Sequence, residues 1–371
     1  MSLLQQAGKL IRVLLVDDSP LVLTVLSRML GQSPEIHIVG KARNGQEALE
    51  LIPQLKPNVI CTDYQMPIMD GLEFTRAVMA KYPCPILVIS SVVGADNKDN
   101  VFALLEAAAD DVFPKPSGGL GPDDEAAQQI ISKIKILSGV VVFKRFSRSP
   151  STPAAAASFA STPLPLSISA KAVGARVVAI GASTGGPAAL YEVLTQLPAS
   201  FPFPVLCVQH ISQGFLQGLV DWLDAHCQVK VKIARPGETP LPGIVYFPEE
   251  ETHLTFDNKG RLVSSRQPAV DGHRPSATVL FNSVAEYFGD SAIAVLLTGM
   301  GNDGAEGITN IAKAGGVTFA QNEASCVVFG MPKQAIESGF VRYILPPRDI
   351  GQSLARLAIA GNKIGAAAEK N

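Results

Sequence analysis

Three polar residues far apart in the chain each follow a strand-like apolar run. Ser183 stands in Gly181-Ala182-Ser183-Thr184-Gly185, after VVAI and before the helical stretch AALYEVLTQL. A glycine-flanked serine between a strand and a helix has the context of a nucleophile elbow. The chain turns sharply there, and the hydroxyl is lifted to a helix N-terminus whose backbone N–H groups can receive an oxyanion. His210 closes VLCVQH, and Asp303 lies in the Gly-rich loop after AIAVLL. In a doubly wound sheet the strand ends gather along one edge, so the three can meet: His210 to take the Ser183 proton, Asp303 to fix the imidazole tautomer.

Two other readings compete for these residues. A Gly-rich turn after a first strand is also how dinucleotide folds cradle pyrophosphate. Such a fold wants Asp or Glu for the ribose at the end of its second strand, where this chain has His210, a base. Individually, His210 could be a capping histidine and Asp303 a turn former; their shared strand-end placement with Ser183 favours acyl chemistry. His226, His253 and His273 lack that placement. His273, in His-Arg-Pro-Ser beside an apolar helix start, is a candidate with Arg274 for lining a substrate entrance.

A second set lies earlier in the chain. Asp17 and Asp18 end VLLV, Asp63 follows VIC, Ser90 ends ILVIS, and Lys115 follows a short apolar run. Three carboxylates at one sheet edge repel each other. A hard cation such as Mg²⁺, held by one or two carboxylates with backbone oxygen and water, relieves the repulsion and leaves one carboxylate free to attack phosphorus. Lys115 and the Ser90 hydroxyl would then hold phosphoryl oxygens.

The elements that must position both sets follow from pattern and composition. A chain of 371 residues, 47% hydrophobic and 17% charged, suits two globular domains. Short aliphatic runs alternate with helical-period segments in both halves, which predicts parallel βαβ units twice over: two doubly wound α/β domains, the first flavodoxin-like, the second Rossmann-like with a β-hairpin around Gly243 to Val263. A helix over 123–137 opens with acids and ends with Lys133 and Lys135, which suits its dipole. The Ser-, Ala- and Pro-rich stretch after it has no apolar periodicity and reads as a flexible linker. The expected division is 10–140, linker 141–173, and 174–365. A net charge of -2 gives no field for nucleic acid. No signal peptide and no apolar run of ~18 residues occur, so a cytoplasmic protein without membrane insertion is expected. Five cysteines without C-x-x-C spacing are expected to be reduced thiols.

With Asp17-Asp18, Asp63, Met66-Pro67, Met69-Asp70-Gly71, Ser90 and Lys115-Pro116 in order, residues 12–137 resemble the receiver domain of bacterial two-component systems. The resemblance implies Asp63 as phospho-acceptor and a sensor histidine kinase as phosphodonor. It implies Asp18, Asp63 and the Gln65 backbone carbonyl as Mg²⁺ ligands, with Asp17 acting on the metal through water, and Ser90 and Lys115 as switch residues. Receivers usually carry a switch aromatic three residues before the lysine. Here that position is Val112, and Phe113, its neighbour, points to the opposite face.

GASTGG, VQH, HRPS, LTGMGNDGAEG and AQNEASCVVFGMP together make residues 176–345 similar to the catalytic domain of the chemotaxis protein-glutamate methylesterases, the CheB family. This implies hydrolysis of glutamyl methyl esters on methyl-accepting chemoreceptors, with methanol released, and in many members deamidation of receptor glutamines, with no cofactor for the hydrolysis. Ser183, His210 and Asp303 become the triad, the backbone N–H groups of Thr184 and Met300 the candidate oxyanion donors, and chemoreceptor arrays the place of work. The segment VYFPEEETHL departs from the Gly-rich turn expected in the family, and its three glutamates bear on docking of acidic receptor helices. The combined expectation is an esterase whose receiver covers the cleft until Asp63 is phosphorylated. The alternative is a non-catalytic, phospho-regulated adaptor or phosphate sink; a receiver-linked transcription factor would need a basic recognition helix that the second half lacks.

Overall fold

A computed structural model describes residues 10–90, 104, 109–116, 124–139 and 175–368; the expected linker, 141–173, lies outside them. In the first sheet β1 (Ile11–Val16), β2 (Ile36–Ala42), β3 (Val59–Thr62), β4 (Ile86–Ser90) and β5 (Asp111–Pro114) run parallel in the order β2-β1-β3-β4-β5. The helices are α1 (Pro20–Leu30), α2 (Gly45–Leu55), α3 (Gly71–Lys81) and α4 (Asp124–Ser138). Alternate strand residues feed two cores, as a sheet covered on both faces requires. Val13 and Leu15 pack with Leu26 and Ile134 on one side, Leu14 and Val16 with Ile52 and Val78 on the other. Strand order reverses between β1 and β3, and the crevice at that switch point is where Asp17 and Asp63 stand.

Local chemistry sets the helix starts. The Ser19, Asn44 and Asp70 side chains accept the N–H groups of Val22, Glu47 and Glu73 and so cap α1, α2 and α3. Gly71 has a further duty, since a Cβ there would lie 2.4 Å from the Asp63 carbonyl oxygen. The Met69-Asp70-Gly71 motif therefore lets α3 start directly against the Asp63 loop.

The second sheet has seven parallel strands in the order β14-β13-β12-β6-β7-β9-β8. They are β6 (Val177–Ala182), β7 (Val205–Gln209), β8 (Lys230–Ile233), β9 (Ile244–Phe247), β12 (Ala292–Leu296), β13 (Val317–Gln321) and β14 (Tyr343–Leu345). Around them pack α5 (Gly186–Leu194), α6 (Leu216–His226), α7 (Ala277–Phe288), α8 (Ala305–Lys313), α9 (Met331–Glu337) and α10 (Pro347–Ala368). Here the order reverses between β6 and β12, which places the loops after β6, β7 and β12 together.

The hairpin differs from its expected position. β9 enters the main sheet between β7 and β8, parallel to both, and the hairpin is built from β10 (His253–Phe256) and β11 (Leu262–Ser265). IVYF is buried along nearly its whole length, so it needs sheet neighbours on both edges and cover on both faces. The later segments are half-buried, as suits a two-stranded flap, and the Asp257 carboxylate closes the turn by accepting the N–H groups of Lys259 and Arg261.

Candidate active site

Ser183 follows β6 at the edge where α5 begins, and only 9% of it is exposed. Its N–H donates to the Thr298 carbonyl at 3.0 Å, and its own carbonyl accepts from Gly186 N–H at 2.7 Å. The Gln209 amide donates to the Ser183 carbonyl and to the His210 carbonyl, both at 2.8 Å. Gln209 thus ties the serine loop to the histidine loop. From the other side the Thr298 hydroxyl lies 3.0 Å from the Thr184 carbonyl and accepts Val328 N–H at 2.9 Å. A Cβ on Gly299 would sit 2.6 Å from Ser183 Cβ, so the loop after β12 can lie against Ser183 only with glycine there.

His210 Nε2 donates to Asp303 Oδ2 at 2.9 Å. The Asp303 carboxylate also accepts the Ser276 hydroxyl at 2.7 Å, Ala277 N–H at 2.7 Å and Thr278 N–H at 2.9 Å. It is therefore held at the N-terminus of α7, where free N–H groups and the helix dipole favour an anion. Burial alone would raise this carboxyl, but the His210 bond and charge, with the Ser276 and Thr278 donors, outweigh burial and hold it below the ordinary carboxylate range. With Nε2 committed to Asp303, His210 Nδ1 is buried without a hydrogen-bond partner among the described residues. That nitrogen is the one left to accept a serine proton. Gln209 links the Ser183 and His210 backbones, while Ser183 Oγ and the His210 ring are not hydrogen-bonded to each other, a looseness common before substrate binds.

The remaining sequence candidates separate. Thr184 is buried and Met300 is 48% exposed at the mouth. His226 bonds the Trp222 carbonyl in the last turn of α6. His253 is buried; its Nε2 donates to the Pro268 carbonyl and its Nδ1 accepts Ser276 N–H, a supporting contact one step behind Asp303. His273 stacks on His210, ring centroids 3.8 Å apart and planes 8° from parallel. Arg274 pairs with Glu251 at 3.0 Å. Arg274 and Glu251 border a small pocket with Gln209, Ile211 and Leu216; His273 does not line it. Glu250 accepts the N–H groups of Gly214 and Leu216, so two of the three glutamates are engaged within the protein. Sequence reasoning missed Ser276, Gln209 and Thr298; the Ser276 N-cap before TVLF was a readable signal, the other two were not.

In the first domain Lys115 Nζ lies 2.6 Å from Asp63 Oδ2 and 3.0 Å from Asp17 Oδ2. Asp17, Asp18 and Asp63 each present a carboxylate oxygen within 4.8 Å of the others. This all-oxygen, acidic donor set fits a hard divalent cation. Burial pushes the Asp63 carboxyl up to about 6, against the hydrogen bond and charge of Lys115 and with help from Asp17. Lys115 N–H donates to the Ser90 carbonyl at 2.7 Å, so both are at the same sheet edge, and Gln65 follows Asp63 on the exposed loop. Val112 and Phe113 are each 1% exposed and belong to opposite cores; neither is an aromatic free to swing at the surface.

The two domains touch beside Ser183. Gly185 N–H, at the start of α5, donates to the Asp110 carbonyl at 3.2 Å, and the Thr184 hydroxyl donates to Asp111 Oδ2 at 3.2 Å. Lys133 of α4 holds the same Asp111 oxygen at 2.5 Å. The β5 edge of the first domain therefore abuts the residues that directly follow Ser183.

Residues 178–354 match the family model described as CheB methylesterase, and residues 13–119 the model described as response regulator receiver domain. The chain is 41% identical to protein-glutamate methylesterase/protein-glutamine glutaminase 4 of Myxococcus xanthus, over 93% of this chain and 96% of that one. It is 39% identical to the protein-glutamate methylesterase/protein-glutamine glutaminase of Nitrosospira multiformis, over 94% and 97%. Among solved structures it is similar to the CheB methylesterase catalytic domain of Thermotoga maritima, 37% identical over 49% of this chain and 98% of that one with a TM-score of 0.48. Two parallel-sheet domains, one carrying an acidic pocket and one a serine elbow, and kinship along nearly the whole length place the chain in one family: it belongs to the protein-glutamate methylesterases/protein-glutamine glutaminases, CheB-type hydrolases with a response-regulator receiver domain.

Proposed function

We propose that the protein hydrolyses glutamyl methyl esters on chemoreceptors by a Ser183-His210-Asp303 triad, deamidates receptor glutamines at the same site, and is held back by its receiver until Asp63 is phosphorylated. The observation that carries the catalytic part is the Asp303 carboxylate, bonded to His210 Nε2 while its other donors hold it at the start of α7. That arrangement keeps Asp303 ionised and His210 Nδ1 free to act as a base.

In this scheme Ser183 Oγ attacks the ester carbonyl carbon and passes its proton to His210 Nδ1. The oxyanion is received by the backbone N–H groups of Thr184 and Met300. Collapse of the tetrahedral species breaks the bond to methoxide, which takes the His210 proton and leaves as methanol. Water, deprotonated by His210, then attacks the acyl-serine; the bond to Ser183 Oγ breaks, Oγ takes the proton back from His210, and the glutamate side chain is released. With a glutamine substrate the leaving group is ammonia, and the remaining steps are the same.

In the receiver, Asp63 takes the phosphoryl group from a sensor histidine kinase, and Asp17, Asp18, Asp63 and the Gln65 carbonyl would hold Mg²⁺, which supplies charge neutralisation when bound. Lys115 and Ser90 take the phosphoryl oxygens. Residues 10–140 form the regulatory unit and 174–365 the catalytic one, with 141–173 as tether. The working place is the cytoplasmic face of chemoreceptor arrays. Among the described residues no helix is long and apolar enough to cross a membrane. Methanol release from methylated receptor membranes tests the reading: wild type should release it and Ser183→Ala should not, and equal rates would sink the catalytic assignment.

A further inference from the structure

We propose that Arg274 is a carboxylate-binding residue at the rim of the cleft, and that Glu251 holds its guanidinium until a glutamate carboxylate of the receptor segment displaces it. The proposal rests on the reading of the site as a receptor glutamyl esterase. Its ground is the ion pair and its place. Arg274 Nη2 donates to Glu251 Oε2 at 3.0 Å, and both residues line a space of about 360 Å³ with Gln209 and Ile211, the neighbours of His210 on either side.

The guanidinium is only partly used. Nη1 donates to the Gln267 carbonyl at 3.3 Å and Nη2 to one oxygen of Glu251, while Nε is buried without a hydrogen-bond partner among the described residues. Nε and Nη2 lie on the same side of the fork, where an arginine can grip both oxygens of a carboxylate in parallel. Glu251 takes just one of the two donors. A buried donor left unmade is costly, so a carboxylate that engages both has the advantage over Glu251. The Arg274 side chain is 30% and the Glu251 side chain 56% exposed, and an exposed ion pair holds weakly against a competitor.

The turn around Glu251 presents it to Arg274. Glu250 accepts the N–H groups of Gly214 and Leu216, and the Thr252 hydroxyl donates to the Glu249 carbonyl at 2.9 Å, so the residues on both sides are fixed. Glu251 itself has a φ of 57°, a left-handed conformation that suits glycine and strains a residue with a Cβ. The contact with Arg274 accounts for a glutamate there, since glycine would leave the guanidinium uncovered. The class of ligand follows from the reaction. Each hydrolysis or deamidation turns a neutral side chain into a carboxylate, so a segment with several such side chains presents carboxylates beside the ester still to be cut. Arg274 thus favours segments already partly processed, and Glu251 sets the affinity they must exceed.

The test measures kcat and KM for methanol release from methylated receptor membranes by the full-length phosphorylated protein. Wild type, Arg274→Gln, Glu251→Gln and the double variant are compared, with Ser183→Ala as control. Loss of the charge-assisted contact should raise KM about tenfold in Arg274→Gln and leave kcat within about threefold, the mark of binding lost equally from ground and transition states. Glu251→Gln should lower KM by about threefold to tenfold, because the guanidinium is no longer occupied. In the double variant KM should match that of Arg274→Gln, since Glu251 acts only through its partner. Unchanged KM in either single variant, a loss confined to kcat in Arg274→Gln, or an equal fall in KM from Glu251→Gln with and without Arg274 would overturn the proposal. The last result would make Glu251 a repelling charge and nothing more. Methanol release by Ser183→Ala at the wild-type rate would instead overturn the underlying triad. If Arg274→Gln does not fold, Arg274→Lys takes its place: lysine keeps the charge without the fork, and a wild-type KM there contradicts recognition by two parallel donors.

Discussion

The carboxylate of Asp111 lies 3.2 Å from the hydroxyl of Thr184, the residue that follows the proposed nucleophile. Lys133 clamps the same oxygen, and one residue earlier the Asp110 carbonyl takes Gly185 N–H. The receiver therefore reaches the serine elbow itself, and Thr184 is also a candidate oxyanion donor. On the proposed reading, a domain seated there would block approach of a receptor helix and engage part of the serine loop at once.

Removing the Asp111 carboxylate should loosen that seat. One charge-assisted hydrogen bond contributes about 1.5 kcal/mol, so Asp111→Ala should raise methanol release by the unphosphorylated protein about tenfold. The phosphorylated form, already open, should change little. Unaltered basal activity in Asp111→Ala would remove this contact from the account of autoinhibition.

Asp303→Asn should cost about 10³- to 10⁴-fold in kcat, since the wrong tautomer of His210 is then favoured. Ser276→Ala removes one of the donors to Asp303 and the N-cap of α7 together. It should lower stability by about 1 kcal/mol and kcat about tenfold. Urea unfolding and steady-state rates on the same preparations separate the two effects.

Gly299→Ala would set a methyl group against Ser183 Cβ and Met331. Met331 Sδ can swing aside, but Ser183 Cβ is fixed to its backbone and cannot, so displacement of the proposed nucleophile by even a fraction of an ångström should reduce kcat about a hundredfold. Receiver phosphorylation, monitored with a small phosphodonor, should be untouched in this variant.

The two functional aspartates should give opposite pH dependences of stability. Burial raises Asp63 from 3.8 to about 6, so the folded receiver binds a proton more readily than the unfolded chain. Its stability falls as pH rises across that window. Asp63→Asn should then stabilise the receiver at pH 7.5, by on the order of 1 to 3 kcal/mol, and much less at pH 4. Asp303 is depressed below 3.8, so its contribution is present above that pH and is lost as pH falls further. Asp303→Ala should destabilise the esterase at neutral pH, with the difference from wild type shrinking toward pH 2. Unfolding curves across this pH range, with the two transitions resolved, check both signs.

That Ser183, His210 and Asp303 lie at one edge of their sheet, and Asp17, Asp18 and Asp63 at one edge of theirs, is legible in the sequence because each set follows apolar runs, and parallel strands deliver their ends to one edge. The cage around Asp303 was less so. Ser276 lies 27 positions before Asp303, and its N-cap signature says where a helix starts, not which carboxylate will rest on that start. His273 carries a sequence signal only through its neighbours, and its stack on His210 depends on tertiary folding that brings the segment after Val270 beside the loop after β7. The hairpin was misplaced because IVYF reads equally as a hairpin arm or a buried parallel strand; what decides is cover from both faces, a tertiary property. Asp111 gave no signal at all, as an acid at the start of a strand is ordinary until another domain is set against it.

The central claim is that Asp63 governs hydrolysis at Ser183. Its most direct test is methanol release from methylated receptor membranes by full-length wild type, Asp63→Asn and Ser183→Ala, each with and without a small-molecule phosphodonor and Mg²⁺. The account predicts stimulation of wild type by about tenfold or more, a low and unresponsive rate for Asp63→Asn, and none for Ser183→Ala. Stimulation of Asp63→Asn equal to that of wild type would contradict it.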